Sequence, residues 1–460
     1  MKTCFWMLSC FGLGLSAVTV MSAAADRLYH IGAARIDITP AYPIRLSGYA
    51  VRKTESTEVA QRLWAKAMAI GTDKEGPAIL ITVDNIGVPR HVRDEVVLRL
   101  QKKKRIDPAR VAICSTHSHT TPCLAGNLDT LFGEPLPPEH RARVERYTRE
   151  LVDAIERVAL EALRKRKPGK LSWGQSKAGF AANRRTQGDP VDHDLPVLTV
   201  TDRQGKLRAL FTSYACHCTT LGGDFNQVCG DWAGYAQEIL ERDHPGAVVL
   251  VGIGCGADAN PHPRTGLNLA LQHGQEIAAK INALLTQQLT PLNRPLVCRT
   301  KPLELPFDPL PSRAEWEQRA QDQSYSGYHA RWTLAKLDGG ESLSTHLPYL
   351  VQTWNFGDEL AVVFLPGEVV VDYSLRLKRE FDSARLWVNA YANDVPCYIP
   401  SERILKEGGY EGGGAMIFYG LPARLAMETE SLIVGAVHDL LPQSFRNQKT
   451  KSEGTPLHGN

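Results

Sequence analysis

The chain has 460 residues, 43% of them hydrophobic and 22% charged, with a formal net charge of +3. These values sit near the globular averages, which excludes a fibrous repeat or a chain disordered throughout, and the length suits two ordinary domains or one large α/β domain. So small a charge is no basic footprint of the kind a phosphate backbone requires, which excludes nucleic acid as a partner.

Residues 1–25 read as a secretory leader. Lys2 is a minimal positive start, Cys4 to Val20 is almost wholly apolar, and Ser22-Ala23-Ala24-Ala25 offers small residues for cleavage before Asp26. The apolar run is shorter than the roughly 20 residues of a membrane span, which weighs against an anchor. The protein is therefore expected to be exported, to a periplasm or the extracellular space.

Beyond the leader, strands and helices alternate. Ala78 to Val83 is the first clear strand, short, apolar and β-branched. A helix follows at about Val92 to Lys103, and its closing run Lys102-Lys103-Lys104-Arg105 suits the negative end of a helix dipole. Arg110 to Cys114 is a strand, and Pro138 to Arg166 a long helix with Val144, Tyr147, Leu151, Ile155 and Val158 on one stripe. Strands come near Pro196 to Val200 and Ala209 to Ala215, then a helix at about Trp232 to Arg242 and a strand at Ala247 to Val251. Leu267 to Leu285 is helical, Ala361 to Leu365 a strand, Val370 to Phe381 a helix and Leu386 to Ala390 a strand. A final helix fills about Leu421 to Leu441. The expected architecture is one large α/β domain over residues 26–443, a mixed sheet with flanking helices and a weak sub-division near Pro306 to Ser344. Residues 444–460 are polar and are expected to fray.

Eight of the ten cysteines follow the leader, and an oxidising compartment allows disulfides among them. Cys216-His217-Cys218 lacks an accompanying CxxC pair, so small buried thiols are the simpler expectation. Gly252-Ile253-Gly254-Cys255-Gly256-Ala257 fits a dinucleotide fingerprint in spelling only. A helix must open there, and Pro261 and Pro263 forbid one. These glycines read instead as places where backbone approaches something closely.

Three places carry chemistry. Thr116-His117-Ser118-His119 follows a strand, and if the extended backbone persists, both imidazoles point to one side. His217 ends another strand. Glu368, in Pro366-Gly367-Glu368, lies where a strand gives way to a helix. Taken singly each has a plain structural reading: hydrogen-bonded core histidines, or an acidic residue at a helix start. Together they stand at the C-terminal ends of strands, where open α/β sheets bind ligands. Two histidines and a carboxylate form a hydrolytic zinc set with a position left for water.

These segments resemble the neutral/alkaline ceramidase family from about Ile31 to Leu441. Ile31 to Pro40 with Ser47-Gly48-Tyr49 resembles its opening segment, and Thr116 to His119 its THTH motif. Tyr214 to His217 with Gly230 to Ala236, Pro366-Gly367-Glu368, and Tyr398-Ile399 with Tyr410-Glu411-Gly412 resemble three further motifs in the right order. The resemblance implies a zinc amidohydrolase that cleaves an N-acyl amide, ceramide or a related acylated amine, to a fatty acid and an amine. It implies zinc (Zn2+) ligands His117, His217, Glu368 and Tyr398, with His119 and Arg184 beside the scissile amide. A lipid substrate would bring the protein into peripheral contact with a membrane surface; no protein partner is implied. Two departures stand out. Arg185 replaces the serine of the family's NRS, and Asn260 occupies the place of a serine in its GDVSP. An Asn amide is no acyl-enzyme nucleophile, whereas a metal-dependent route survives the change. Ceramidase-type members also continue into an immunoglobulin-like domain where this sequence ends. Two other functions remain open on the sequence: a zinc hydrolase of another amide or ester, and a binding protein that retains the fold.

Overall fold

The computed structural model describes residues 27–186 and 188–447. The expected leader and residues 448–460 lie outside these.

The main sheet has nine strands. Its order is Val111–Ser115, Ala78–Val83, Trp64–Ile70, Tyr29–Asp37, Lys167–Lys177, Asp194–Thr201, Leu207–Tyr214 and Val248–Ile253, with Thr290–Leu292 added beside Lys167–Lys177. Only the two outermost pairs are parallel. Each is closed by a crossover helix, Arg90–Lys104 on one side and Asp231–Asp243 on the other, as parallel neighbours require. A second sheet runs Leu296–Pro306, His346–Phe356, Leu360–Phe364, Leu386–Asn389, its last pair parallel.

Alternation along the strands explains why the two sheets stack. Ile79, Ile81 and Val83 pack with Val92, Val96 and Leu100 of a crossover helix and with Val144 and Leu151 of Pro138–Arg164. Their neighbours Ala78 and Leu80 face the other way and meet Phe211, Leu250, Trp354, Phe364 and Trp387. Ala361 and Val363 of the second sheet turn to helices Val371–Glu380 and Thr429–Leu440. Apolar runs buried on both faces are what the inner layers of a helix–sheet–sheet–helix stack need. Each fully buried Ile, Val, Leu or Phe adds about 1.5–3 kcal/mol. Phe211 and Trp387 stack across the sheets at 4.6 Å, and the Trp387 indole donates to Ser213 Oγ at 2.8 Å.

Bridges Cys114–Ala392 and Ile253–Ala390 seat residues 390–392 between the two parallel edges of the main sheet. The segments after Val111–Ser115, Leu207–Tyr214 and Leu360–Phe364 are thereby gathered in one place.

The mixed sheet with flanking helices is as expected, and most predicted elements lie within a few residues of their observed bounds. Several expectations need correction. Two strands, Tyr29–Asp37 and Trp64–Ile70, precede the one read as first. The final helix is Thr429–Leu440 rather than Leu421 to Leu441, because residues 425–426 bridge to Phe307 and Pro306 instead of coiling. Residues 444–447, assigned to the polar tail, are packed: Phe445 is fully buried, and Arg446 bridges to Phe381. Pro306 to Ser344 is an excursion with helices Arg313–Arg319 and Tyr325–Asp338, set between strands that pair along their whole length.

The eight cysteines of the described residues are free thiols. A β-carbon on Gly256 would lie 2.4 Å from the Ala215 carbonyl carbon, which is the close backbone approach the glycines implied. Among the described residues no helix is long and apolar enough to cross a membrane.

Candidate metal centre

His117 follows its strand by two residues and takes φ +52°, so the backbone does not stay extended there as the sequence implied. The left-handed turn leaves Ser118 to bridge with Cys218, and His119 N donates to the Cys218 carbonyl at 3.2 Å. That bridge, rather than alternation, brings His117 and His119 to His217. His217 is itself pinned on both sides: its N–H donates to Ala259 O at 3.0 Å, and its carbonyl accepts the Trp232 indole at 2.9 Å. Glu368 and Tyr398 are direct partners in the short parallel pair Glu368–Val369 and Tyr398–Ile399. Gly367 permits that pair, because at φ +83° a β-carbon would come within 2.9 Å of the Cys397 carbonyl oxygen.

The ligand atoms of His117, His119 and His217 lie within 4.8 Å of one another. Glu368 Oε2 is 3.2 Å from His117 Nε2 and 3.1 Å from His217 Nε2. His119 Nε2 is 3.2 Å from His117 Nε2, and the Tyr398 hydroxyl is 3.4 Å from His217 Nε2. Each imidazole gives its other nitrogen to a backbone carbonyl: His117 Nδ1 to Ile86 at 2.6 Å, His119 Nδ1 to Gly48 at 3.1 Å and His217 Nδ1 to Gly256 at 2.9 Å. A neutral ring facing a carbonyl carries its proton there, so all three Nε2 lone pairs turn inward.

Burial keeps the His119 and His217 rings neutral. It pushes His217 down to about 4, with help from the Arg184 charge and His117, and His119 well below its ordinary value, with His117 and His217 adding to the effect. Inward lone pairs beside a carboxylate repel one another unless a cation lies among them. Imidazole nitrogens oriented by carbonyls, with one carboxylate oxygen, are a donor set that fits zinc. Cys216 and Cys218 take no part; burial pushes both thiols well up.

All six residues singled out in the sequence meet here. Arg184 Nη2 donates to the Tyr398 hydroxyl at 2.8 Å, and its Nε donates to Glu411 Oε1 at 2.8 Å. Asn260 accepts from Thr219 Oγ1 at 3.1 Å and lies 3.5 Å from Arg184 Nη1. Three neighbours were not anticipated. Tyr419 donates its hydroxyl to Glu368 Oε1, the oxygen turned away from the histidines. Tyr391, at φ +52°, lays its ring 4.3 Å from that of His117. Glu411 holds Arg184; it belongs to the Tyr410-Glu411-Gly412 motif, whose spelling gave it no role. For Tyr391 and Tyr419 no local signal existed.

Residues 29–250 match the family described as neutral/alkaline non-lysosomal ceramidase, N-terminal. Neutral ceramidase from Drosophila pseudoobscura pseudoobscura is 26% identical over 268 residues, covering 54% of this chain and 37% of that protein. Neutral ceramidase from Pseudomonas aeruginosa is 26% identical over 259 residues, covering 52% and 37%. The match thus spans little more than a third of the length of these relatives. The crystal structure of neutral ceramidase from Pseudomonas aeruginosa superimposes with a TM-score of 0.70 at 19% identity, over 92% of this chain and 76% of that one. A ceramidase complexed with C2 gives 0.71 at 18% identity, over 91% and 76%. At such identity the structural likeness is one of fold. Glu368 and Tyr398 lie beyond the matched residues and join His117, His119, Arg184 and His217 through tertiary structure. The match to the neutral/alkaline non-lysosomal ceramidase family thus covers residues 29–250, just under half of the chain.

Proposed function

We propose that the protein is an exported, zinc-dependent amidohydrolase that cleaves the N-acyl bond of ceramide or a related acylated amine. The observation that carries this reading is the convergence of His117 Nε2 and His217 Nε2 on Glu368 Oε2, with His119 Nε2 beside them, in a chain whose residues 29–250 match the ceramidase family. His117, His217, Glu368 and Tyr398 would hold the zinc, which when bound supplies a Lewis acid for the carbonyl and for water.

The chain's own groups do the rest. His119 is half-buried at the edge of the cluster, and its Nε2 is free of the Gly48 carbonyl. That nitrogen can take a proton from the attacking water and return it to the leaving amine. Arg184 brings a fixed positive charge beside Tyr398, aimed at the negative charge that develops on the carbonyl oxygen. The rings of Tyr398 and Tyr410 lie 5.3 Å apart, with Phe418 6.1 Å from Tyr410, and Tyr410 is 46% exposed. An aromatic wall running outward from the centre supports an apolar chain on the substrate.

The test is release of free amine from a short-chain N-acylsphingosine by the zinc-loaded protein. Turnover is expected, and His217→Ala is expected to remove both zinc and turnover. Turnover would also establish that Asn260 suffices where the family has serine. A zinc-bearing protein without turnover sinks the ceramidase reading and leaves another amide or an ester as substrate. Export is checked by the mass of the secreted protein, which should begin at Asp26.

A further inference from the structure

Two adjacent arginines share one buried carboxylate. Glu411 Oε1 accepts Arg184 Nε at 2.8 Å, and Glu411 Oε2 accepts Arg185 Nη1 at 2.8 Å. The Glu411 side chain is 5% exposed and that of Arg185 11%. Arg185 is anchored in turn. Its Nη2 donates to Glu407 Oε2 at 3.1 Å and to the Gly408 carbonyl at 3.1 Å. Glu407 also accepts Arg403 Nη1 at 2.9 Å, and Arg403 grips Asp372. The network therefore runs from helix Val371–Glu380 and the segment 401–411 back to Arg184 at the metal centre.

The end torsion of a glutamate is soft, so a carboxylate held through one oxygen can swing. Glu411 is held through both, and the second hold comes from a rigid, planar, two-pronged guanidinium. Its orientation decides where Arg184 Nε sits, and hence where Nη2 of the same planar group meets the Tyr398 hydroxyl at 2.8 Å. We propose that Arg185 is a positioning residue: through Glu411 it fixes the Arg184 guanidinium against Tyr398 and so sets where positive charge meets the substrate carbonyl. The serine that the resembling family has at this place brings no charge to Glu411. The site of this chain thus carries a brace of its own. The catalytic part of the inference rests on the amidohydrolase reading above; the geometric part does not.

Arg185→Ser is expected to lower kcat on the N-acylsphingosine about ten-fold, with KM within about two-fold and zinc content unchanged, since the interaction lost acts on the transition state. Arg185→Lys keeps the charge without the fork and should recover only part of kcat. A purely structural role would lower Tm in both variants and leave kcat in place; Arg185→Ser with kcat within two-fold of the parent overturns the proposal. If the parent turns over no amide at all, the crystal structure of Arg185→Ser decides. Arg184 Nη2 swung beyond hydrogen-bond reach of Tyr398 supports the brace, and Arg184 unmoved refutes it.

Discussion

Tyr419→Phe isolates one hydroxyl. The two oxygens of Glu368 have separate tasks: Oε2 faces His117 and His217, and Oε1 accepts the Tyr419 hydroxyl. Phenylalanine keeps the ring and removes the donor, leaving Oε1 of a 3% exposed carboxylate without that partner. A hydrogen bond to a charged group contributes about 1.5–3 kcal/mol net. Loss of a hydrogen-bond partner behind a metal ligand costs roughly 10–100-fold in affinity, which is about 1.4–2.8 kcal/mol. The two routes agree on about 2 kcal/mol, or a zinc affinity weaker by about thirty-fold. Competition for zinc against a chromophoric chelator measures this directly, with thermal unfolding of the metal-free protein as the control for folding. A Phe variant that binds zinc within two-fold of the parent would refute the claim that Tyr419 orients a metal-binding carboxylate.

Two further outcomes follow from burial. His329 sits 3% exposed beside Trp316, and burial, aided by the Arg319 charge, pushes it down to about 4. As pH falls below about 6.5 the unfolded chain takes up this proton first, so stability present near neutrality is lost toward about pH 4, about 3 kcal/mol in all. Denaturant midpoints should show the parent losing about 2 kcal/mol more than His329→Gln between about pH 7 and pH 5; parallel curves would contradict the assignment. Gly256→Ala places a β-carbon 2.5 Å from Cys216 N, next to the residue whose Nδ1 bonds the Gly256 carbonyl. Overpacking of this kind costs about 1–3 kcal/mol, and His217 should shift with it, so both unfolding free energy and zinc affinity are expected to fall. A variant equal to the parent in both shows that the backbone there is free to move.

Much of the fold is readable from local pattern because its strands are short apolar runs and its helices carry stripes of spacing near 3.6. Ala78–Val83 and Leu267–Leu285 are observed with the bounds their sequence implies. Lys167–Lys177, Leu296–Pro306 and His346–Phe356 were not anticipated. Lys167–Lys177 and Leu296–Pro306 mix charged, polar and proline residues, and all three owe their extended form to partners distant in the chain. Lys167–Lys177 pairs with Tyr29–Asp37 and Asp194–Thr201. Likewise Leu421 to Glu428 has helical composition, yet bridges to residues 306–307 draw it out of a helix.

For the site, sequence alone determined which residue types were available and that they cluster just past strand ends: His117 and His119, His217, and Glu368. Tertiary structure decided that they meet. The Ser118–Cys218 bridge joins positions 100 residues apart and the Glu368–Tyr398 register positions 30 apart, and no local periodicity encodes such pairings. Tyr419, Glu411 and Arg185 gained their roles at the same step. Each acts only through a side chain brought to it from another segment, so its chemistry comes into being with the packing of the two sheets.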